Sequence, residues 1–285
     1  MTNATISTKP ILVLGGTGKT GRRVLRRLEA RGIETRIGSR SGRPAFDWRD
    51  WSTWAPALKG VRSVYVSYYP DLATPHAVDT VGSFAELAMA CGVPRLVLLS
   101  GRGEREAELA EEAVRDSGAD LTIIRSTWFS QNFSEDYMLD HVLRGEVALP
   151  AGDVPEPFVD AGDIADVAVE ALTDDRHIGK LYEVTGPRLL TFADAVEEIS
   201  RAAQRSVRFK PISIEQHAAH AAEQGVPDEV IALLTYLFGE VLDGRNAHLE
   251  DGVQRALGRA PRDFTDYARE AAATGVWNVA QGSAA

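Results

Sequence analysis

The stretch ILVLGGTGKTGRRV, residues 11–24, decides the fold. Two phosphate-binding spellings overlap in it. Gly18-Lys19-Thr20 looks like the tail of a nucleoside-triphosphate P-loop, whereas Gly16-Thr17-Gly18-Lys19-Thr20-Gly21 reads G-x-G-x-x-G. A P-loop also needs a glycine five positions before Gly18. Val13 stands there, inside an apolar run, so the loop is too short to wrap a triphosphate. The dinucleotide pattern fits in full, with an apolar strand before it and a helical segment after it. Gly15 or Gly16 permits the sharp turn, Gly18 lets a pyrophosphate approach the backbone, and Gly21 lets the helix pack on the strand. The free N–H groups and dipole at the helix start favour the phosphates.

Outward from this loop, strand-like and helix-like segments alternate. Strands are expected at 11–16, 34–40, 45–48 (AFDW), 63–70, 95–101 and 121–129, with helices at 21–32, 51–60, 77–92 and 104–118. Such alternation predicts an α/β fold, a Rossmann-type doubly wound parallel sheet with helices on both faces. Beyond residue 130 the pattern changes. SEDYMLDHVLRG looks helical, residues 156–174 read as a turn and a helix with Asp163 as N-cap, and LYEVTGP (181–187) is another strand. The rest is mainly helical, with one strand in 206–213. We therefore expect a dinucleotide-binding domain over 1–186. A smaller, mainly helical C-terminal substrate cap follows over 187–285, laid over the carboxyl edge of the sheet, with 130–160 as a further contributor. Pro187, Pro211, Pro227 and Pro261 mark its joints. The last residues, AQGSAA, read as disordered.

Composition narrows the function. A net charge of -10 argues against a nucleic-acid backbone as partner, which needs clustered Lys and Arg. Cys91 is the only cysteine, so no internal disulfide and no Cys-based zinc site can form; we expect it buried. MTNATISTKP lacks the apolar core of a secretory signal, and no apolar run reaches the length of a membrane span, so a cytoplasmic location is expected. His217 and His220 sit three apart with no third ligand evident, and a solvated face is expected rather than a metal site. Ser100, before Gly101, lacks the G-x-S-x-G spacing of a hydrolase nucleophile. Trp51 and Trp54 are expected in the core.

The end of the second strand reads Gly38-Ser39-Arg40-Ser41-Gly42-Arg43, with none of the carboxylates that bind the ribose 2′-hydroxyl of NAD. Arg40 suits a 2′-phosphate, with Ser39 adding a hydroxyl, which favours NADP(H) over NAD(H).

GGTGKTG, the missing acid, FDWRD and above all SGADLTIIRSTWFSQNF (117–133) resemble the NmrA-like branch of atypical short-chain dehydrogenases/reductases. ADVAVEAL, YEVTGPRLLTFADAVEEIS and PISIEQH…GVPDEVIALL continue the likeness from residue 10 to about 270. That family includes NADPH-dependent quinone and carbonyl reductases, and also cofactor-binding redox sensors without turnover. The resemblance implies that Gly15, Thr17, Gly18, Lys19 and Thr20 contact the pyrophosphate. It places Asp47 and Trp48 by the adenine, Ser67 and Tyr68 near the ribose or nicotinamide, and Ser100 and Gly101 at the nicotinamide end. Trp128, Phe129 and Asn132 would line the substrate side.

The usual Tyr-x-x-x-Lys proton relay is absent. None of the seven tyrosines has a lysine four residues later, and 104–116 holds neither residue type. Tyr68, and Tyr137 with His141 one helical turn on, are the alternative donors. Two readings remain. One is a hydride-transferring oxidoreductase acting on a quinone, carbonyl or enone. The other is an NADP(H)-binding sensor working through a homodimer or a regulatory protein partner.

Overall fold

The computed structural model describes residues 9–279. AQGSAA, and residues 1–8 of the amino-terminal stretch, lie outside the described residues.

The first strand, β1 (Ile11–Leu14), is four buried apolar residues. The helix α1 (Gly21–Ala30) buries Val24, Leu25 and Leu28 and turns its arginines outward. There follow β2 (Thr35–Gly38), α2 (Trp54–Leu58), β3 (Ser63–Val66), α3 (Ala77–Ala90), β4 (Arg95–Gly101), α4 (Arg105–Asp116) and β5 (Asp120–Ser126). Two short helices, α5 (Asn132–Glu135) and α6 (Met138–Arg144), precede β6 (Glu146–Leu149). The long buried helix α7 (Ala161–Thr173) leads to β7 (Leu181–Val184). Then come α8 (Phe192–Ala202), β8 (Arg208–Pro211), α9 (Ile214–Glu223), α10 (Asp228–Tyr236), α11 (Gly252–Leu257) and α12 (Phe264–Ala273).

Six strands form one parallel sheet in the order β2-β1-β3-β4-β5-β7. The central strands β1 and β3 are buried at every residue, which is why they read as continuous apolar runs. Leu12, Leu14, Val64, Val66, Leu96 and Leu98 pack with α2, α3 and α4. Their alternate neighbours face the side where α1 and α7 lie. The order reverses between β1 and β3, and at such a reversal the loops part and leave a crevice at the strands' carboxyl ends.

The chain forms two compact units. The sheet unit runs to Ser126 and adds Ala161–Val184 and Asp251–Arg259. The second holds Thr127–Asp160, Thr185–Glu250 and the residues from Ala260 onward. The division is therefore discontinuous, where the sequence predicts 1–186 and 187–285 with 130–160 as a further contributor to the second; 161–184 and 251–259 add to the sheet unit. The short return of 251–259 has a clear cause: Arg259 pairs with Asp163 at 2.7 Å and Asp166 at 2.6 Å in the sheet unit. In the second unit, β6 pairs in parallel with β8. Phe133, Phe158, Phe192 and Phe264 meet at centroid distances of 5.0–6.2 Å. Trp277 ties this cluster together by an indole N–H bond to the Phe133 carbonyl of 2.9 Å.

Residues 45–48, expected as a strand, join no ladder, and β6 forms where the sequence predicts none. Phe46 turns its ring into the core against Trp48, Trp54 and Phe84, while the Trp54 indole donates to the Asp47 carbonyl at 2.9 Å. Side-chain burial fixes this segment, so its backbone forms a turn. Asp163 is not an N-cap; it lies within the first turn of α7, fully buried and neutralised by Arg259. Cys91 is exposed rather than buried, because α3 ends there and the chain turns at Gly92. Trp54 is buried as expected, but Trp51 is 58% exposed and stacks on the outer face of Trp54. Among the described residues no helix is long and apolar enough to cross a membrane.

Two outcomes follow. Phe84→Ala should destabilise the sheet unit by about 3–5 kcal/mol in denaturant unfolding, because its ring contacts Phe46, Trp48 and Trp54. The Arg188 guanidinium bonds Asp263 and pulls its carboxyl pKa down to about 2. A depressed folded pKa gives stability that is present above the ordinary Asp range and lost as pH falls through about 2. D263N should flatten the acid limb of the melting-temperature profile between roughly pH 4 and 2.

Candidate functional site

Four loops at the carboxyl edge of the sheet build the site. The first leaves β1. Gly15 has φ +64°, a conformation that favours glycine, and its N–H reaches the Gly38 carbonyl at 3.2 Å. Of the two candidates for the sharp turn, Gly15 therefore takes it. Gly16 is buried against Ile37 and Leu25. Gly18 donates to the Gly15 carbonyl at 2.8 Å. A Cβ on Gly21 would overlap that same carbonyl, so only glycine lets α1 start this close to the strand. Thr17 and Gly18 are exposed, Lys19 half-buried and Thr20 buried. Thr20 is the N-cap of α1 but makes no side-chain cap bond, and the first turn holds no acidic residue. The positive end of the helix dipole is thus open to an anion.

The second loop leaves β2. The Ser39 carbonyl accepts from Gly42 and Phe46 at 2.9 Å each, which folds 39–46 into a tight turn. The Ser39 and Ser41 hydroxyls lie 3.4 Å apart. Arg40 is exposed, and among the described residues its guanidinium has no hydrogen-bond or ion-pair partner; Arg43 is the same. Asp47 is held locally: its carboxylate accepts the Arg49 amide at 3.0 Å. Trp48 bonds the Ser67 carbonyl at 3.2 Å and lies 5.1 Å from the Tyr68 ring. Ser67, in the third loop after β3, touches the place a Cβ of Gly15 would occupy, at 3.3 Å. Gly15, Trp48, Ser67 and Tyr68 are therefore brought together.

The fourth loop leaves β4, and here the side chains depart from expectation. The Ser100 hydroxyl is buried and turned toward α4, donating to Glu111 at 2.6 Å. Glu111 is 1% exposed, and Arg125 grips it through two N–H groups at 2.7 and 2.6 Å. A buried carboxylate needs these donors, and Ser100 is one of them. Gly101 is covered by the carboxyl group of Glu104, which occupies the space where a Cβ would project. Glu104 is only 8% exposed and its carboxyl lies against that of Asp71, from the loop after β3. Asp71 also accepts the Ala73 amide at 2.9 Å. Two carboxyls can bond each other only if they share a proton. Burial raises the pKa of both, and the negative partner raises that of Glu104 further. Sequence reasoning misses this pair. Its only signal is an acid shortly after each of two adjacent strands.

Trp128, Phe129, Asn132 and Tyr137 belong to the second unit. Trp128 packs on Phe192 at 5.4 Å and Phe238 at 4.8 Å. Phe129 bridges to Val159 through its backbone, and Asn132 opens α5. The Tyr137 hydroxyl is buried with no hydrogen-bond partner among the described residues, and burial pushes its pKa well up. It does not pair with His141, whose Nδ1 accepts the Ala148 amide at 3.4 Å. His217, expected on a solvated face, is buried against Phe238 at 5.5 Å. No group of three potential metal ligands occurs among the described residues.

No protein-family model matches the chain. It is 31% identical to an uncharacterized oxidoreductase, YesF, of Bacillus subtilis, covering 94% of this chain and 98% of that one. It is also 31% identical to an NAD(P)H azoreductase of Xenophilus azovorans, covering 92% and 98%. Among solved structures, it resembles an NADPH-dependent quinone oxidoreductase of Escherichia coli complexed with NADPH. The TM-score there is 0.72, at 20% identity over 91% of this chain and 99% of that one. Nmra, a negative transcriptional regulator, gives a TM-score of 0.66 at 17% identity over 94% and 98%. Both structures share the fold of this chain.

The buried carboxyl pair makes a stability prediction. A carboxyl whose folded pKa is raised leaves stability intact below the ordinary Glu range and loses it as pH rises toward the folded value. Glu104→Gln removes that loss. Its melting temperature should exceed that of the parent at neutral pH, and the gap should close below about pH 4.

Proposed function

The chain belongs to the NmrA-like family of atypical short-chain dehydrogenases/reductases, and on that premise we propose that it is an NADP(H)-dependent oxidoreductase. Its acceptor is a small molecule of the quinone, carbonyl or enone class. One observation carries the cofactor choice: Arg40 stands exposed and unpartnered among the described residues, in a loop, 38–43, that contains no carboxylate. A 2′-phosphate would supply the missing anion, and a ribose 2′-hydroxyl would find no acceptor.

The residues fit such a ligand. The 15–21 loop and the open start of α1 would hold the pyrophosphate, with Gly15, Thr17, Gly18, Lys19, Thr20 and Gly21 in that role. Arg40 and Ser39 would take the 2′-phosphate, and Trp48 with Asp47 the adenine side. Ser67, Tyr68 and Gly101 would flank the nicotinamide, with Ser100 at the same strand end and its hydroxyl given to Glu111. Trp128, Phe129 and Asn132 are assigned to the substrate.

A dinucleotide held by these residues would supply hydride, and the chain would orient it and exclude water. The lack of a Tyr-x-x-x-Lys relay suits an acceptor such as a quinone, whose reduced anion takes a proton readily. The quinone oxidoreductase supports this class of acceptor, and the azoreductase supports NAD(P)H-dependent reduction of a small organic molecule.

The test is NADPH oxidation against quinones, ketones and enones, with cofactor binding titrated in the same samples. Turnover above the protein-free rate is expected. Arg40→Asp should weaken NADPH binding about 10- to 100-fold, the equivalent of one charged hydrogen bond, and leave NADH binding nearly unchanged. Tight NADPH binding without turnover on any acceptor would turn the reading to a redox sensor.

A further inference from the structure

Glu104 is the N-cap residue of α4, yet its side chain makes no cap bond. It bends back over Gly101 at the end of β4, to the carboxyl of Asp71. One of its oxygens, Oε2, is buried with no hydrogen-bond partner among the described residues. Such an oxygen is costly to leave unsatisfied. Glu111, on the same helix, shows the alternative, since Ser100 and Arg125 supply it with three hydrogen bonds.

Resting on the reductase reading above, we infer that the Asp71–Glu104 carboxyl pair is the proton donor of the reaction. The proton held between the two groups passes to the acceptor oxygen that gains negative charge as hydride arrives. The balance is simple. With a reduced dinucleotide bound, hydride would bring two electrons to the electrophilic carbon, so that the acceptor would be reduced and the dinucleotide oxidised. The O–H bond of the pair breaks as the new O–H bond of the product forms. The pair, left with both carboxylates charged, takes a proton back from water.

The placement supports this role. Asp71 follows β3 and Glu104 follows β4, adjacent strands whose carboxyl ends lie beside the β1–β3 reversal. Tyr68 and Gly101, already assigned to the nicotinamide end, precede these two acids by three residues each. The charged groups acting on Glu104 are Asp71, from the loop after β3, and Glu106 and Glu111 from α4. All are acidic, so each opposes a second negative charge and keeps the proton in place. The neighbouring cation on the same loop, Arg102, is turned to Glu183 of β7 at 3.5 Å.

The test begins without cofactor. Infrared spectra of the ligand-free protein at neutral pH should show a protonated-carboxyl C=O band that Glu104→Gln removes. Circular dichroism and NADPH titration should match the parent. With a ketone acceptor, kcat of E104Q should fall by about 10²- to 10⁴-fold with little change in the KM for NADPH. The loss should be smaller with a quinone, a difference that a merely structural role would not produce. Parent kcat should decline as pH rises through the titration of the pair, and the variant should lose that limb. An absent infrared band, or an unchanged kcat and pH profile in E104Q, would overturn the donor while leaving the reductase reading intact. A parent protein that binds NADPH but reduces nothing would overturn both.

Discussion

The first turn of α1 lies against the carbonyl of Gly15, and the rest of the site depends on that approach. Neither Gly15 nor Gly21 can carry a side chain there: one takes a positive φ, and the other would overlap backbone. The contact sets the start of α1 at the carboxyl edge of the sheet. It holds the loop against Ser67 and, through the Gly15–Gly38 bond, fixes the exit of β2 where Arg40 stands. A few ångströms of extra separation would leave the helix dipole pointing at water rather than at a bound anion.

The sheet unit treats its buried acids in two ways. Glu111 receives a hydroxyl and a guanidinium and stays charged within a closed network. Glu104 receives another acid. The first arrangement locks α4 to β4 and β5 and has no capacity left for a ligand. The second sets two carboxyls together and leaves one oxygen, Oε2 of Glu104, without a hydrogen-bond partner among the described residues. Close together on one helix, the two show how neighbours of the same residue type divide into scaffold and chemistry.

Much of the fold was legible because buried parallel strands announce themselves as apolar runs between amphipathic helices. The glycine loop and the acid-free end of β2 were legible for a related reason: each depends on a few local residues. What failed was decided by distant partners. Phe46 and Trp48 have strand-like spelling, but their rings are claimed by Trp54 and Phe84. Asp163 has the spelling of a cap, but Arg259, 96 residues on, neutralises it in the interior. Asp71 and Glu104 are ordinary loop acids until the β3–β4 pairing brings their loops together. The short strand β6 has meaning only beside β8.

The interleaving of the two units bears on how the protein is made. The chain passes between them five times, and the last stretch of the sheet unit, Asp251–Arg259, comes late. Its glycine, Gly252, lies against the backbone of Glu183 in the edge strand β7, and its Arg259 neutralises the buried Asp163. During synthesis the six strands can all leave the ribosome while that edge is still uncovered and that carboxylate still lacks its cation. The nascent sheet therefore keeps an open strand edge, of the kind that recruits other chains, until residues 251–259 have emerged.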